Sequence, residues 1–266
     1  MQTFIGSNDL GSFLFTYFYI FIFGACLGSF FMVVGLRLPL KENLITPSHC
    51  DACQTKLKPW HLIPIIGYMA LKGRCSHCGH QIPIIYPLFE FLTGSLFMLI
   101  IYLMRFRAET LISLLFVSLL LICTVSDISA RKIPNIITYP AFVILLVLRL
   151  SLSQLDPWWF TLLGAGVGFA LLLLLGLLSY ALLGQKGMGG GDIKLFTVVG
   201  VVIGPIPLLV TLVLASVLSL VYVGIDFAIT KTLKRKLPFG PFIALAAFGS
   251  YLYLSGMWDH LIYLFK

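Results

Sequence analysis

Charge is what this sequence has least of. Only 11% of its 266 residues are Asp, Glu, Lys or Arg, against about 25% in soluble globular chains. Hydrophobic residues make up 59% and the mean hydropathy is +1.02. That balance excludes a soluble enzyme and a disordered chain and requires a polytopic membrane protein. Alternating apolar and polar segments are missing too, which excludes a transmembrane barrel. The spans must then be helices, because only helices satisfy their own backbone in hydrocarbon. Internal repeats and low-complexity tracts are not evident. No basic residue precedes the first apolar run, so it does not read as a cleaved signal peptide.

Eight apolar runs remain, at roughly 12–35, 86–104, 110–126, 136–150, 159–183, 193–204, 206–229 and 240–258. The sequence predicts an all-α polytopic membrane protein of about eight transmembrane helices. The run at 193–204 is the weakest, and "GPIP" at 204–207 reads as a tight external turn or a break inside one bent hairpin. Basic residues orient the spans. Arg37, Lys41, Lys56, Lys58, Lys72 and Arg74 fall in one loop, Arg131 and Lys132 in another, Lys186 and Lys194 beside a glycine stretch, and Lys231, Lys234, Arg235 and Lys236 after span seven. The opposite face has only Arg105, Arg107, Arg149 and Lys266. The richer face is cytoplasmic, which puts both termini outside. Basic charge spread over four loops is an orientation signal and argues against nucleic-acid binding.

The loop at 37–85 contains "HCDAC" at 49–53 and "RCSHC" at 74–78. Cys50, Cys53, Cys75 and Cys78 form two C-x2-C pairs, the spacing of two knuckles on one tetrahedral metal ion, best matched by zinc. Disulfides are the plainer alternative, disfavoured on a reducing cytoplasmic face. Four sulfur ligands close the shell, so the zinc would be structural. His49, His61, His77 and His80 leave a three-cysteine, one-histidine site open. Cys26 and Cys123, inside spans, read as small packing residues.

Acids are few enough to take one by one: ten in all. Asp9, Glu109, Asp156 and Asp259 fall in external segments and Glu42 and Asp51 in the cysteine loop, where solvation explains them. Glu90, Asp127, Asp192 and Asp226 lie within or at the ends of spans, where charge is costly and function is the first hypothesis. An ion pair with the following basic cluster accounts for Asp226. Asp127, in "SDISARKIPN", and Asp192, in "GMGGGDIK", sit at one depth, the cytoplasmic membrane edge. Two acids at one site can share a proton, one serving as general base and one as general acid, and so activate water for peptide hydrolysis. The plainer readings are that Asp192 caps a helix start and that Asp127 pairs with Arg131 or Lys132. The glycines Gly189 and Gly191, like Gly187 before them, allow a substrate backbone to approach closely.

These motifs carry a resemblance. "GGGDIK", with Gly189, Gly191 and Asp192, resembles the G-x-G-D motif of polytopic aspartyl proteases. "D-x5-I-P-N" at 127–135 resembles the first-aspartate motif of prepilin peptidases. "GACLGSFFMVVGLRLP" at 24–39, "GRCSHCGHQIPIIYPLFE" at 73–90 and "PFGPFIA" at 238–244 are similar to that family's first span, knuckle loop and last-span opening. The short loops look most like the competence-type form of Gram-positive bacteria. One departure is "CDAC", which lacks a proline after its first cysteine.

The resemblance implies an enzyme of the bacterial cytoplasmic membrane, a prepilin peptidase, with Asp127 and Asp192 catalytic and Gly189 and Gly191 at the substrate. It would cut prepilins or pseudopilins after a glycine at the cytoplasmic face. For many members it also implies methylation of the new amino terminus with S-adenosylmethionine, although no G-x-G-x-x-G signature is present. The expected parts are a first transmembrane helix at 1–36, a cytoplasmic zinc-binding loop domain at 37–85 and a seven-helix transmembrane catalytic core at 86–266. The alternative is a proton-coupled transporter using intramembrane carboxylates. It would want acids near the midplane and leaves the cysteine loop unexplained.

Overall fold

The structure, a computed structural model, describes residues 10–105, 107–152, 157–184, 189–231 and 237–254. Lys186, Gly187, Lys234, Arg235, Lys236, Asp9, Asp156, Asp259, Lys266 and the far end of the eighth run lie outside the described residues. The helices are α1 (Leu10–Arg37), α2 (Ile66–Ala70), α3 (Ile85–Met104), α4 (Ala108–Ala130), α5 (Asn135–Leu152), α6 (Trp158–Leu183), α7 (Gly190–Ile203), α8 (Pro205–Thr230) and α9 (Gly240–Leu254). The eight long helices stand where the apolar runs predict them. Among the described residues, six are long and apolar enough to cross a membrane: α1, α3, α4, α5, α6 and α8.

α7 has 14 residues, about 21 Å at a 1.5 Å rise, too short for a straight span of roughly 30 Å. It ends at Gly204, which takes φ 77°, and Pro205 starts α8 at once. The break at "GPIP" is therefore a one-residue hinge between two helices.

The chain divides into two compact units. The first comprises α1, the loop that follows it, and α3. α1 and α3 pack on small residues. A Cβ on Gly24 would come within 2.9 Å of the Gly94 Cα. Such close backbone approach is the usual way of joining helices in lipid, where apolar faces gain nothing by hiding from one another. Cys26 is exposed, so it faces away from this seam and is not the packing residue expected of it. Cys123, in the second unit, is fully buried as expected.

The second unit, α4–α9, is built around α7. Leu195, Phe196, Val198, Val199, Val201, Val202 and Ile203 of α7 are all buried, because α5, α6, α8 and α9 pack around it. Its short length follows from that position: a helix wrapped by protein need not match the bilayer. By contrast α6 and α8 expose many large apolar side chains, among them Leu174 and Leu220, as lipid-facing helices do.

Polar contacts tie the unit together where hydrophobic burial is weak. Tyr251 Oη of α9 lies 2.7 Å from Ser113 Oγ of α4, and Thr211 Oγ1 of α8 donates to Ser250 Oγ of α9 at 2.9 Å. Glu109 is not a solvated external acid. It pairs with Arg149 of α5 at 3.0 Å, and the Arg149 side chain is only 2% exposed. Arg149 Nη2 also donates to the Val202 carbonyl at the end of α7. One guanidinium thus joins α4, α5 and α7. The apolar setting excludes water that would otherwise solvate both charges.

Removing one member of a buried pair leaves the other uncompensated, which costs about 3 kcal/mol or more. Glu109→Ala should lower the thermal midpoint of the detergent-solubilised protein by several degrees. Glu109→Leu combined with Arg149→Leu should recover most of that loss, because no charge is then left behind. Equal midpoints for Glu109→Ala and the native chain would refute the pair's structural role.

Candidate active site and metal centre

Asp127 lies in the last turn of α4, one helical turn before Arg131. That residue closes the helix in the left-handed conformation (φ 54°, ψ 38°), its N–H donating to the Asp127 carbonyl at 2.9 Å. The helix runs four residues beyond the expected end of its span, so Asp127 is inside α4. The residue is buried, at 6% exposure. A buried carboxylate needs a donor, and Asp127 Oδ2 accepts the backbone N–H of Gly240 at 2.7 Å. Gly240 opens α9. A Cβ there would come 2.9 Å from Asp127 Oδ2, so the site has no room for a side chain.

Asp192 lies in the first turn of α7 and is half-buried. Gly189 precedes the helix in an extended conformation (φ −75°, ψ 139°), and its carbonyl accepts the Asp192 N–H at 3.1 Å. Gly189 and Gly190 are exposed. A Cβ on Gly189 would lie 3.1 Å from Asp192 Oδ2, whereas one on Gly190 would meet open space. Gly191 differs from both: a Cβ there would come 3.0 Å from Ile133 Cβ. Ile133 belongs to the "IPN" that follows Asp127. The missing side chain of Gly191 thus lets the two motif segments touch.

A second tie reinforces the contact. Lys194 Nζ of α7 donates to Asn135 Oδ1 at the start of α5 at 2.8 Å and stands 5.2 Å from the centre of the Tyr139 ring. Packing of α9 on both α4 and α7 completes the arrangement. The two carboxylates thus stand on adjoining helix ends, the last turn of α4 and the first turn of α7. Of the other acids within spans, Glu90 belongs to the first unit. Asp226, with its Thr230 neighbour bonded to its carbonyl, lies near the end of α8, and most of the basic cluster expected to pair with it lies outside the described residues.

Sequence reading missed Gly240. In the sequence, "PFGPFIA" at 238–244 carries a likeness and gives Gly240 no role. The available signal was a glycine between two prolines at a helix start, where nothing else calls for one.

The cysteine loop forms a second centre, in the first unit. Residues 49–56 and 74–81 make the same turn twice. His49 bridges Lys56 and Arg74 bridges Gln81, both antiparallel. Cys50 N–H donates to the Thr55 carbonyl and Cys75 N–H to the His80 carbonyl, at 3.0 and 2.8 Å. Gln54 and Gly79 take positive φ at matching positions. The loop therefore contains an internal repeat that is not evident in the sequence, because it lives in backbone turns and only the cysteines mark it.

The two turns converge. Cys50 and Cys78 sulfurs are 3.8 Å apart, Cys53 and Cys75 sulfurs 3.9 Å, and all four lie within 4.8 Å of one another. Sulfurs at about 2.3 Å from a shared tetrahedral ion would be separated by roughly 3.8 Å, so the four thiols fit a metal ion. The Thr55 hydroxyl, 3.3 Å away, and its backbone pull the Cys53 thiol down to about 6. Against the pull of the His80 backbone, loss of water and the neighbouring thiols push Cys78 up to about 12. Crowded thiols resist shedding all their protons, and a cation among them reverses that.

A helical membrane protein with two motif-borne carboxylates at adjoining helix ends has the form of a polytopic membrane peptidase. The chain belongs to the type IV leader peptidase family. The model of that family matches residues 114–224, and that of the bacterial peptidase A24 N-terminal domain matches residues 22–104. Among similar proteins, the prepilin leader peptidase/N-methyltransferase of Bacillus subtilis is 39% identical over 237 residues, covering 88% of this chain and 93% of that protein. Proteins of the same description from Klebsiella pneumoniae and Neisseria gonorrhoeae are 36% and 32% identical, covering 74% and 84% of this chain and 90% and 79% of theirs. No solved structure matches the chain. A transporter finds no support.

Gly191→Ala should cut peptidase activity by roughly a hundredfold, since displacing a catalytic segment by about 1 Å can cost that much. Gly190→Ala, which meets open space, should stay within about threefold. Rates measured on both purified variants decide it; near-normal activity for Gly191→Ala would show that the Ile133 contact does not set the geometry.

Proposed function

We propose that the protein is an aspartyl endopeptidase that removes the leader of prepilins or pseudopilins. The observation that carries this is the junction of the Asp127 and Asp192 motifs through Gly191 and Ile133, read with the relatives' descriptions. The acid pair holds one proton. The ionised carboxylate takes a proton from water as the water oxygen attacks the carbonyl carbon of the scissile bond, and the other carboxyl gives its proton to the carbonyl oxygen. The tetrahedral intermediate then collapses as a proton passes to the departing amine nitrogen. Asp127, held by Gly240, is the fixed member. Asp192, half-buried behind exposed Gly189, is the member that an extended substrate backbone meets first.

The leader would be cut after a glycine at the cytoplasmic face of a bacterial membrane, with both chain termini outside. The four cysteines would hold one structural zinc. Methylation of the new amino terminus, with S-adenosylmethionine as donor, is the second activity we propose, on the relatives' descriptions as N-methyltransferases.

Asp127→Asn and Asp192→Asn should each lower cleavage of a synthetic prepilin by at least about a thousandfold, near the upper range for losing a general acid or base, with helical content unchanged. Native activity should fall at low pH, where both acids are protonated, and at high pH, where both are ionised. Substantial turnover by either variant, or a flat profile, would remove the shared-proton mechanism.

Metal analysis of protein never exposed to chelator should give one zinc per chain. Stripping it should lower the thermal midpoint, because metal binding contributes directly to folding stability. Less than about half an equivalent would refute the zinc assignment.

A further inference from the structure

The stretch between the two cysteine turns is apolar on its outside. After Pro59–Leu62, a single turn of 3₁₀ helix, the chain passes through Ile65, held at φ 62°, into the five-residue α2. α2 reads Ile-Gly-Tyr-Met-Ala and has no charged residue on any side. Its inner face is settled. Gly67 is buried, and a Cβ there would collide with the His61 carbonyl, while Tyr68 and Leu71 line a cavity of about 320 Å³ in the same unit. At about 100° per residue, the opposite face carries Ile66 and Met69, which are 62% and 68% exposed. Trp60, Leu62 and Ile63 before them are exposed as well, Trp60 at 59%. A helix that is apolar all round is expected to be covered on every side, and α2 is covered on one.

One hydrogen bond fixes the depth of this face. The Ile65 N–H donates to Glu90 Oε2 at 2.7 Å. Glu90 is the sixth residue of α3, about 7.5 Å along the helix from Ile85 at a 1.5 Å rise. The outward apolar surface of α3 has begun before that point: Ile84, Ile85 and Leu88 are all exposed, on a helix long and apolar enough to cross a membrane. The loop therefore folds back along the span, and α2 starts level with the first lipid-facing turns of α3. An apolar face at that depth meets the boundary between lipid headgroups and acyl chains.

The charge around it is of one sign. From Ala52 to Phe89 no residue is acidic, whereas Lys56, Lys58, Lys72 and Arg74 all fall in this stretch. All four are exposed, and the lysines bracket the apolar segment. Lys58 Nζ stands 5.3 Å from the centre of the Trp60 ring. Tryptophan seats its ring at headgroup level, and a lysine stem lies along apolar surface while its ammonium reaches the phosphates. Exposed cations beside an apolar face at this depth complement an anionic phospholipid surface.

We infer that residues 59–70 form an interfacial anchor seated in an anionic phospholipid leaflet. Trp60, Ile66 and Met69 lie at the acyl boundary, and Lys56, Lys58 and Lys72 lie on lipid phosphates. The segment is then an element that rests in the membrane surface between two spans, and not a water-borne loop. Because the cysteine turns at 49–56 and 74–81 flank it, the anchor holds the four thiols at the membrane surface.

Quenching of Trp60 by lipid tests this in the full-length protein. A chain with Trp158, Trp159 and Trp258 each replaced by Phe keeps Trp60 alone of its four tryptophans. It is reconstituted in phosphatidylcholine vesicles that hold a minor fraction of phosphatidylglycerol brominated near the headgroup end of its chains, or the same fraction of phosphatidylcholine brominated there. Both lipids should quench Trp60, and aqueous iodide should not. One lysine at an anionic surface favours association by about fivefold, so the anionic quencher should act at least about fivefold more strongly. Lys58→Gln combined with Lys72→Gln should bring that preference below about twofold, with Trp60 still shielded from iodide. Should the single-tryptophan chain lose helical content, the difference in emission between the native chain and Trp60→Phe gives the same reading. Trp60 open to iodide and unquenched by either lipid would overturn the anchor, and equal quenching by the two lipids would overturn its anionic selectivity. Shielding that appears only when a synthetic prepilin is added would overturn the lipid assignment and give the face to the substrate.

Discussion

A carboxylate removed from water must be given a donor, and in the second unit that donor is the N–H of Gly240 at the mouth of α9. The bond seats one helix start against another helix end. It requires a glycine, because a Cβ would collide with the acid it serves, and it fixes α9 relative to α4. α9 packs in turn on α7, whose first turn carries Asp192. The geometry of the candidate active site is thus inherited from the need to satisfy one buried acid.

The same constraint explains how the unit is held together. Lipid gives helices little reason to associate through apolar faces alone, and close packing and scarce polar groups take over. Glu109 and Arg149 join three helices at one end of α7, while Asn135 with Lys194, and Ile133 with Gly191, tie its other end. α7 is anchored at both ends and wrapped along its length, which is why a helix too short to span can sit at the centre. A helix fixed at both ends holds Asp192 in place relative to α4 and α9.

The first unit solves a different problem with different means. It has few buried apolar residues outside α1 and α3, and its loop takes its shape from two copies of one turn drawn together by four thiols. Those turns, with the ends of α1 and α3, enclose a cavity. The two family models divide the chain at nearly the same place as the two units.

Much was legible in the sequence, and for identifiable reasons. Hydropathy places all eight long helices, since a span must be apolar along its whole length wherever its neighbours lie. Charge scarcity makes Asp127 and Asp192 conspicuous, and C-x2-C spacing places the four thiols, because a tight turn is a local object. What only the tertiary structure decided depends on partners distant in the chain. Glu109 looked solvated until Arg149, 40 residues on, was folded against it. Gly240 had no evident role until Asp127, 113 residues away, reached its N–H. Gly191 reads in the sequence as room for a substrate backbone; only the fold shows Ile133 in the space where its side chain would be. Periodicity and spacing record what a residue does within its own helix or turn; which other segment it faces is set by packing, and no local pattern encodes that.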